Sequence, residues 1–184
     1  MDGMFRTRGR RLGFTLLELL LVVAILALTA TQVLPGLDRW RDNLHLRTAA
    51  DQWLSGLNRA RSEAVARGVA VSLCPASSGQ AGCGNDYSQG WILFTDKPRD
   101  GRFEADVDEL LDKAPSLPEG FTVTNRSGER IAAEVIRYLP DGSARRSLTH
   151  LFCAPSGRSV PPVAVVLNHV GRARLAQGEG QCPV

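Results

Sequence analysis

At 184 residues, 43% hydrophobic and 22% charged, the chain has room for one globular domain with a modest core and an accessory segment. The formal charge is +3, but Arg6, Arg8, Arg10 and Arg11 against Asp2 place a net +3 in the first thirteen residues, which leaves the remainder neutral and excludes a basic field over the whole molecule. Cys74, Cys83, Cys153 and Cys182 lack CxxC spacing, which argues against zinc or redox motifs and for disulfides in an oxidising compartment such as a bacterial periplasm.

In chain order, the first element is the apolar run from Leu16 to Leu34, nineteen residues with the single charge Glu18, enough to cross a ~30 Å hydrocarbon core as a helix. The basic residues before it predict a cytoplasmic N-terminus and an exported C-terminal part. A secretory signal would end in a small-residue cleavage site. Here a helix-compatible Asp38-Arg39-Trp40-Arg41 follows instead, so the run is expected to be retained. Pro35-Gly36 predicts a kink or loosening. Beyond it, Leu37, Trp40, Leu44, Ala50, Trp53, Leu57, Ala60 and Ala64 recur at helical spacing among polar residues, which predicts an amphipathic half, 36–67, with one buried face and a C-cap at Gly68. Trp40 and Trp53 are read as core and not as a cofactor face.

After Gly68, short β-type runs alternate with turn residues: Val69 to Cys74, Trp91 to Thr95, Phe121 to Thr124, Ile131 to Leu139, Leu148 to Cys153, Val163 to Leu167 and Val170 to Ala176. The fold class is therefore α+β, a long helix packed on an antiparallel sheet or small sandwich. The acidic stretch from Asp96 to Lys113 does not match EF-hand spacing and reads as a solvated loop that helps steer anions elsewhere. Three disulfide pairings are open. Cys74–Cys83 with Cys153–Cys182 is favoured because short loops close at low entropic cost and a crosslink restrains a fraying tail.

Candidate chemistry is sparse. No nucleophile elbow, metal-spaced pair among His45, His150 and His169, or phosphate-binding glycine loop occurs, so no enzyme, cofactor or metal site is read. Between Gly142 and Gly178 there is no carboxylate, whereas Arg145, Arg146, Arg158, Arg172 and Arg174 are present with His150 and His169, the two histidines read as surface or partly buried sheet residues. Arg172 and Arg174, two apart, share one face of a strand, and Gly171 would let a phosphate approach the backbone. Guanidinium forks suit phosphate oxygens, so this surface predicts salt-sensitive DNA binding with little sequence preference. Arg145 and Arg146, after the Pro140-Asp141-Gly142 turn, would extend it if the fold brings them near.

Arg10-Arg11-Leu12-Gly13-Phe14-Thr15-Leu16-Leu17-Glu18 resembles the type IV prepilin motif. The resemblance implies a leader, 1–13, removed by a prepilin peptidase at Gly13/Phe14 with methylation of Phe14, a transmembrane half, 14–35, and a periplasmic domain, 36–184, with its β-rich part over 69–184. It also implies that Glu18 pairs with the N-terminal amine of a neighbouring pilin. Arg61 to Gly68, Val71 to Pro75 and Gly90 to Asp96 are similar to the FimT/GspH family of minor pilins and pseudopilins, and Cys74-Pro75 with Cys83 resembles the pilus-associated type. Gly171-Arg172-Ala173-Arg174 resembles the GRxR motif with which FimT-type minor pilins bind double-stranded DNA during natural transformation. The function this implies is a minor pilin, anchored in the inner membrane and then carried in the pilus among other pilins, that captures DNA. The alternatives are a minor pilin needed only for assembly and a minor pseudopilin of type II secretion.

Overall fold

A computed structural model describes residues 14–78 and 82–183, the side chains of 30–35 excepted. The leader and Gly13 lie outside the described residues. Helix α1, Leu16–Arg67, begins where Thr15 can cap it: the Thr15 hydroxyl accepts the Glu18 N–H at 3.3 Å and the Thr15 carbonyl accepts that of Leu19 at 3.2 Å. Glu18 stands three residues after the cap, at capping-box spacing and on the positive end of the helix dipole. The helix ends at Gly68, whose φ of +65° is the left-handed conformation that a C-cap glycine adopts.

The chain divides into two compact units, Met1–Asp38 and Arg39–Val184. In the first, every described residue from Phe14 to Thr29 is exposed. No helix among the described residues is long and apolar enough to cross a membrane. The span predicted from Leu16 to Leu34 is described with side chains only as far as Thr29.

In the second unit, α1 buries Asp42, Leu46, Ala50, Trp53, Leu57, Ala60 and Ala64, a stripe at three- and four-residue steps. This corrects the sequence reading at its N-terminal end, because Leu37, Trp40 and Leu44 are exposed. Trp40 and Leu44 are each two residues, about 200° of helical turn, from the stripe positions Asp42 and Leu46. Trp53 is the centre of the core, with edge-to-face contacts to Tyr87 at 4.3 Å and to Trp91 and Phe152 at 6.2 Å.

Two four-stranded antiparallel sheets close on that stripe. The first has the order β3-β2-β1-β5, from β1 Val71–Pro75, β2 Trp91–Thr95, β3 Leu110–Ala114 and β5 Ile136–Tyr138. The second has the order β4-β6-β7-β8, from β4 Thr122–Asn125, β6 Leu148–Cys153, β7 Val163–Leu167 and β8 Ala173–Gln177. Alternation sends Leu73, Leu93, Val123, Phe152, Val165 and Leu167 into the common core. Cys74, Ile92 and Phe94 form a separate cluster on the far face of the first sheet, and Leu151, Cys153 and Ala164 do the same on the second.

The acidic segment differs most from expectation. It contains β3, and two of its carboxylates are buried rather than solvated. Asp96 accepts the Ser72 hydroxyl, the Asp100 and Gly101 N–H groups and the Arg137 guanidinium, while Asp108 accepts the N–H groups of Lys97 and Glu104. Asp112 and Glu109 pair with Arg59 and Arg67 on α1 at 2.7 and 2.6 Å. Asp100, Glu104 and Asp106 remain exposed, so this part of the segment keeps the solvated carboxylates that the sequence predicts.

Candidate nucleic-acid interface

β8 is the outer edge of the second sheet, next to β7, with Val166 opposite Arg174 and Leu167 opposite Ala173. Ala173 packs on the main core and Ala176 on the cluster of the opposite face. Alternation therefore places Arg172 and Arg174 together on the face turned away from α1, where both are exposed. The turn before them is tightly bonded: Asn168 Oδ1 accepts the Arg172 N–H at 2.8 Å, and the Asn168 carbonyl accepts that of Gly171 at 2.9 Å.

Gly171 is buried, with a φ of +82°, and a Cβ there would fall on the Gly142 carbonyl oxygen and crowd the Tyr138 ring at 3.1 Å. The sequence reading of an open backbone for phosphate is corrected: this glycine lets the β7–β8 turn lie against the Gly142 turn. The Ala144 N–H, donating to the His169 carbonyl at 3.0 Å, closes the same contact.

The remaining basic residues separate. Arg158 reaches back to the buried Asp42 at 2.8 Å, a structural pair. Arg145 and Arg146 are exposed and line a polar depression of about 480 Å³ with Asp100, Glu134, Val135 and Arg137; neither Arg172 nor Arg174 is part of its lining. His169 is exposed on the β7–β8 turn.

His150 is buried, with Trp53 and Tyr87 each 5.4 Å away between ring centroids and Nε2 3.6 Å from Glu134 Oε2. That separation is long for a hydrogen bond, and the contact is ionic only when the imidazole is protonated. His150 holds the Glu134 carboxyl down to about 2 from an ordinary 4.5, helped by the Glu134 and Ala133 N–H groups and opposed by partial burial. Glu134 thus stays ionised beside Arg145 and Arg146 and offsets them. A carboxyl lowered in the folded state stabilises it above the unfolded value near 4.5 and loses that contribution as the pH falls towards 2. Glu134→Gln is expected to remove about 1 kcal/mol of this acid-dependent loss in denaturation curves between those pH values, after screening at a part-exposed group.

The carboxylate closest to the basic strand lies in the C-terminal tail. Glu179 Oε1 is 3.0 Å from the Arg174 guanidinium and Oε2 is 4.0 Å from that of Arg126, just beyond β4. The sequence reading used neither Glu179 nor Arg126. The tail is held on this face by the Cys153–Cys182 disulfide, with Cα atoms 5.7 Å apart, while Cys74–Cys83 closes the Ser/Gly-rich loop at 5.5 Å. The pairing legible in the sequence was the available signal: Cys182 beside β6 requires residues 178–182 to turn back across the outer face.

Two family models match the chain, the prokaryotic N-terminal methylation motif over residues 8–31 and the type II transport protein GspH over residues 49–171. The chain belongs to the GspH family. No curated protein sequence matches it. Among solved structures it resembles the type IV minor pilin FimU of Pseudomonas aeruginosa, at 20% identity and a TM-score of 0.52 over 71% of this chain and 87% of FimU. It is equally similar to the minor pseudopilin EpsH of the type 2 secretion system of Vibrio cholerae, at 17% identity and a TM-score of 0.51 over 73% of this chain and 99% of EpsH. The GspH-family domain is thus an α+β pilin fold, and the chain is a minor pilin or pseudopilin of a type IV pilus or type II secretion system. Its N-terminal motif implies processing by a prepilin peptidase and assembly with other pilins.

Proposed function

We propose that the chain is a minor pilin of a type IV pilus that holds double-stranded DNA on the outer face of its second sheet. The observation that carries this reading is the exposure of Arg172 and Arg174, side by side at a sheet edge, on a face that α1 does not cover. Guanidinium groups two residues along a strand lie about 7 Å apart, close to the spacing of successive phosphates on one DNA strand, so both can engage one backbone. Such contacts position DNA without reading its sequence.

The apolar residues of the first unit, from Phe14 to Leu28, support single-pass anchoring in the inner membrane before assembly. Cleavage at Gly13/Phe14, N-methylation of Phe14 and export of the domain to the periplasm belong to this reading. The family description favours one competing role, a type II secretion pseudopilin, for which DNA would have no place.

The test is DNA binding by the full chain in detergent across a salt series, beside Arg172→Ala/Arg174→Ala. The wild type should bind with a salt-dependent affinity, and the double variant should lose roughly tenfold or more while the log–log salt slope falls by about 2. Unchanged binding by a folded double variant would refute the assignment to β8. Absence of wild-type binding would favour assembly or secretion.

A further inference from the structure

The outer face of the second sheet already carries an anion. Glu179 lies between two guanidinium groups from opposite edges of the sheet, Arg174 on β8 at 3.0 Å and Arg126 beyond β4 at 4.0 Å. A carboxylate hydrogen-bonded by Arg174 and within ion-pair reach of Arg126 faces the same cations that a phosphate oxygen pair would face. The geometry points to Glu179 as an internal stand-in for a DNA phosphate: it occupies the place between Arg174 and Arg126 that the backbone takes on binding, and DNA binds by displacing it. This inference rests on the DNA reading and adds Arg126 as a binding residue and the tail as a regulator of the site.

The fold explains why the carboxylate is there. Cys182 is bonded to Cys153 on the outer face of β6, so the chain must fold back after Gln177. Gly180, with a φ of +93°, presses on the Arg126 carbonyl oxygen and the Leu151 side chain, and a Cβ there would meet both at 2.6 Å. The tail backbone between β8 and the disulfide is therefore seated, and the Glu179 side chain reaches the arginines from it. The contact is also weak enough to yield. Arg174 and Arg126 are 61% and 68% exposed, and exposed ion pairs contribute about 0–1 kcal/mol, less than a charge-assisted phosphate contact supplies. Arg172, with no ion pair among the described residues, is then the first point of attachment, and Arg174 and Arg126 follow as Glu179 leaves.

The experiment compares full-length wild type, Glu179→Gln and Glu119→Gln in DNA binding across a salt series. Glu119 is exposed and forms no ion pair with either arginine among the described residues, so its variant makes the same charge change without touching the proposed contact. Glu179→Gln should bind roughly 2- to 5-fold more tightly than wild type, with a log–log salt slope steeper by up to about 1, while Glu119→Gln should match wild type. The gain should vanish when Arg174→Ala and Arg126→Ala are also present. Melting curves should superpose, because Glu179→Gln removes only an exposed pair. Equal affinities for Glu179→Gln and Glu119→Gln, with wild-type binding intact, would overturn the stand-in role and leave the DNA reading in place. Absence of DNA binding by every variant, Glu179→Gln included, would overturn both.

Discussion

Arg137→Ala should lower the folding stability of the domain by about 3–5 kcal/mol, measured as a reduced denaturant midpoint at unchanged slope. The Asp96 carboxylate is fully buried, and Arg137, itself only 11% exposed, contributes its one cation through Nε at 2.6 Å. Ser72 and the N–H groups of Asp100 and Gly101 complete its shell. Truncating Arg137 leaves a buried charge with dipolar partners alone, which is the costly way to break such a pair. Arg59→Ala is the contrasting variant, because its pair with Asp112 is half exposed and should contribute less than about 1 kcal/mol. A loss from Arg137→Ala as small as that from Arg59→Ala would mean that water reaches Asp96 and would refute the buried-pair account.

That pair also shows where sequence reading stops. Strands rich in β-branched and aromatic residues were legible from alternation, and β2, β6 and β7 have the bounds expected, because each fills both faces of a buried position in a sheet. β3 was not legible: Leu110–Ala114 is an edge strand with no fully buried residue, and its Asp and Lys suit an exposed edge. Asp96 gave no signal of burial, because its partner Arg137 lies forty-one residues away and only the β1–β5 pairing brings them together. Trp40 was misread for a related reason. A periodic apolar pattern marks a face, but which stripe the sheets cover is fixed by the sheet residues, and here Asp42 with Arg158 lies on the covered side.

The basic site was legible in part. Two arginines at i and i+2 fix a common face whatever the surroundings, so Arg172 and Arg174 followed from the strand assignment alone. What a count of charges between two glycines misses is the residue just outside them: Glu179 follows Gly178 directly, and Arg126 comes from another edge of the sheet. Of the basic set, His150 is buried in the interior and Arg158, itself part-exposed, is committed to the buried Asp42.

Glu18→Ala should leave leader removal and domain stability unchanged yet reduce incorporation into filaments by roughly tenfold or more, scored as chain in sheared pili against chain in the membrane. If the leader is cut at Gly13/Phe14, the Phe14 amine places a positive charge immediately before the Thr15 cap, at the end of α1 that the helix dipole already makes positive. In a lone chain Glu18 offsets part of this from an exposed position. Among packed copies the exposed apolar residues Phe14, Leu16, Leu17, Leu19 and Leu20 would surround both charges, and an unpartnered carboxylate or amine there is expensive. Glu18→Gln should fail as Glu18→Ala does, since it keeps the shape and loses the charge. Thr15→Ala separates the two roles of this turn: it removes the capping bond, worth about 1 kcal/mol, and leaves the carboxylate. A loss of incorporation from Thr15→Ala equal to that from Glu18→Ala would assign the effect to helix capping; normal incorporation of Thr15→Ala beside failure of Glu18→Gln would assign it to charge pairing between neighbours.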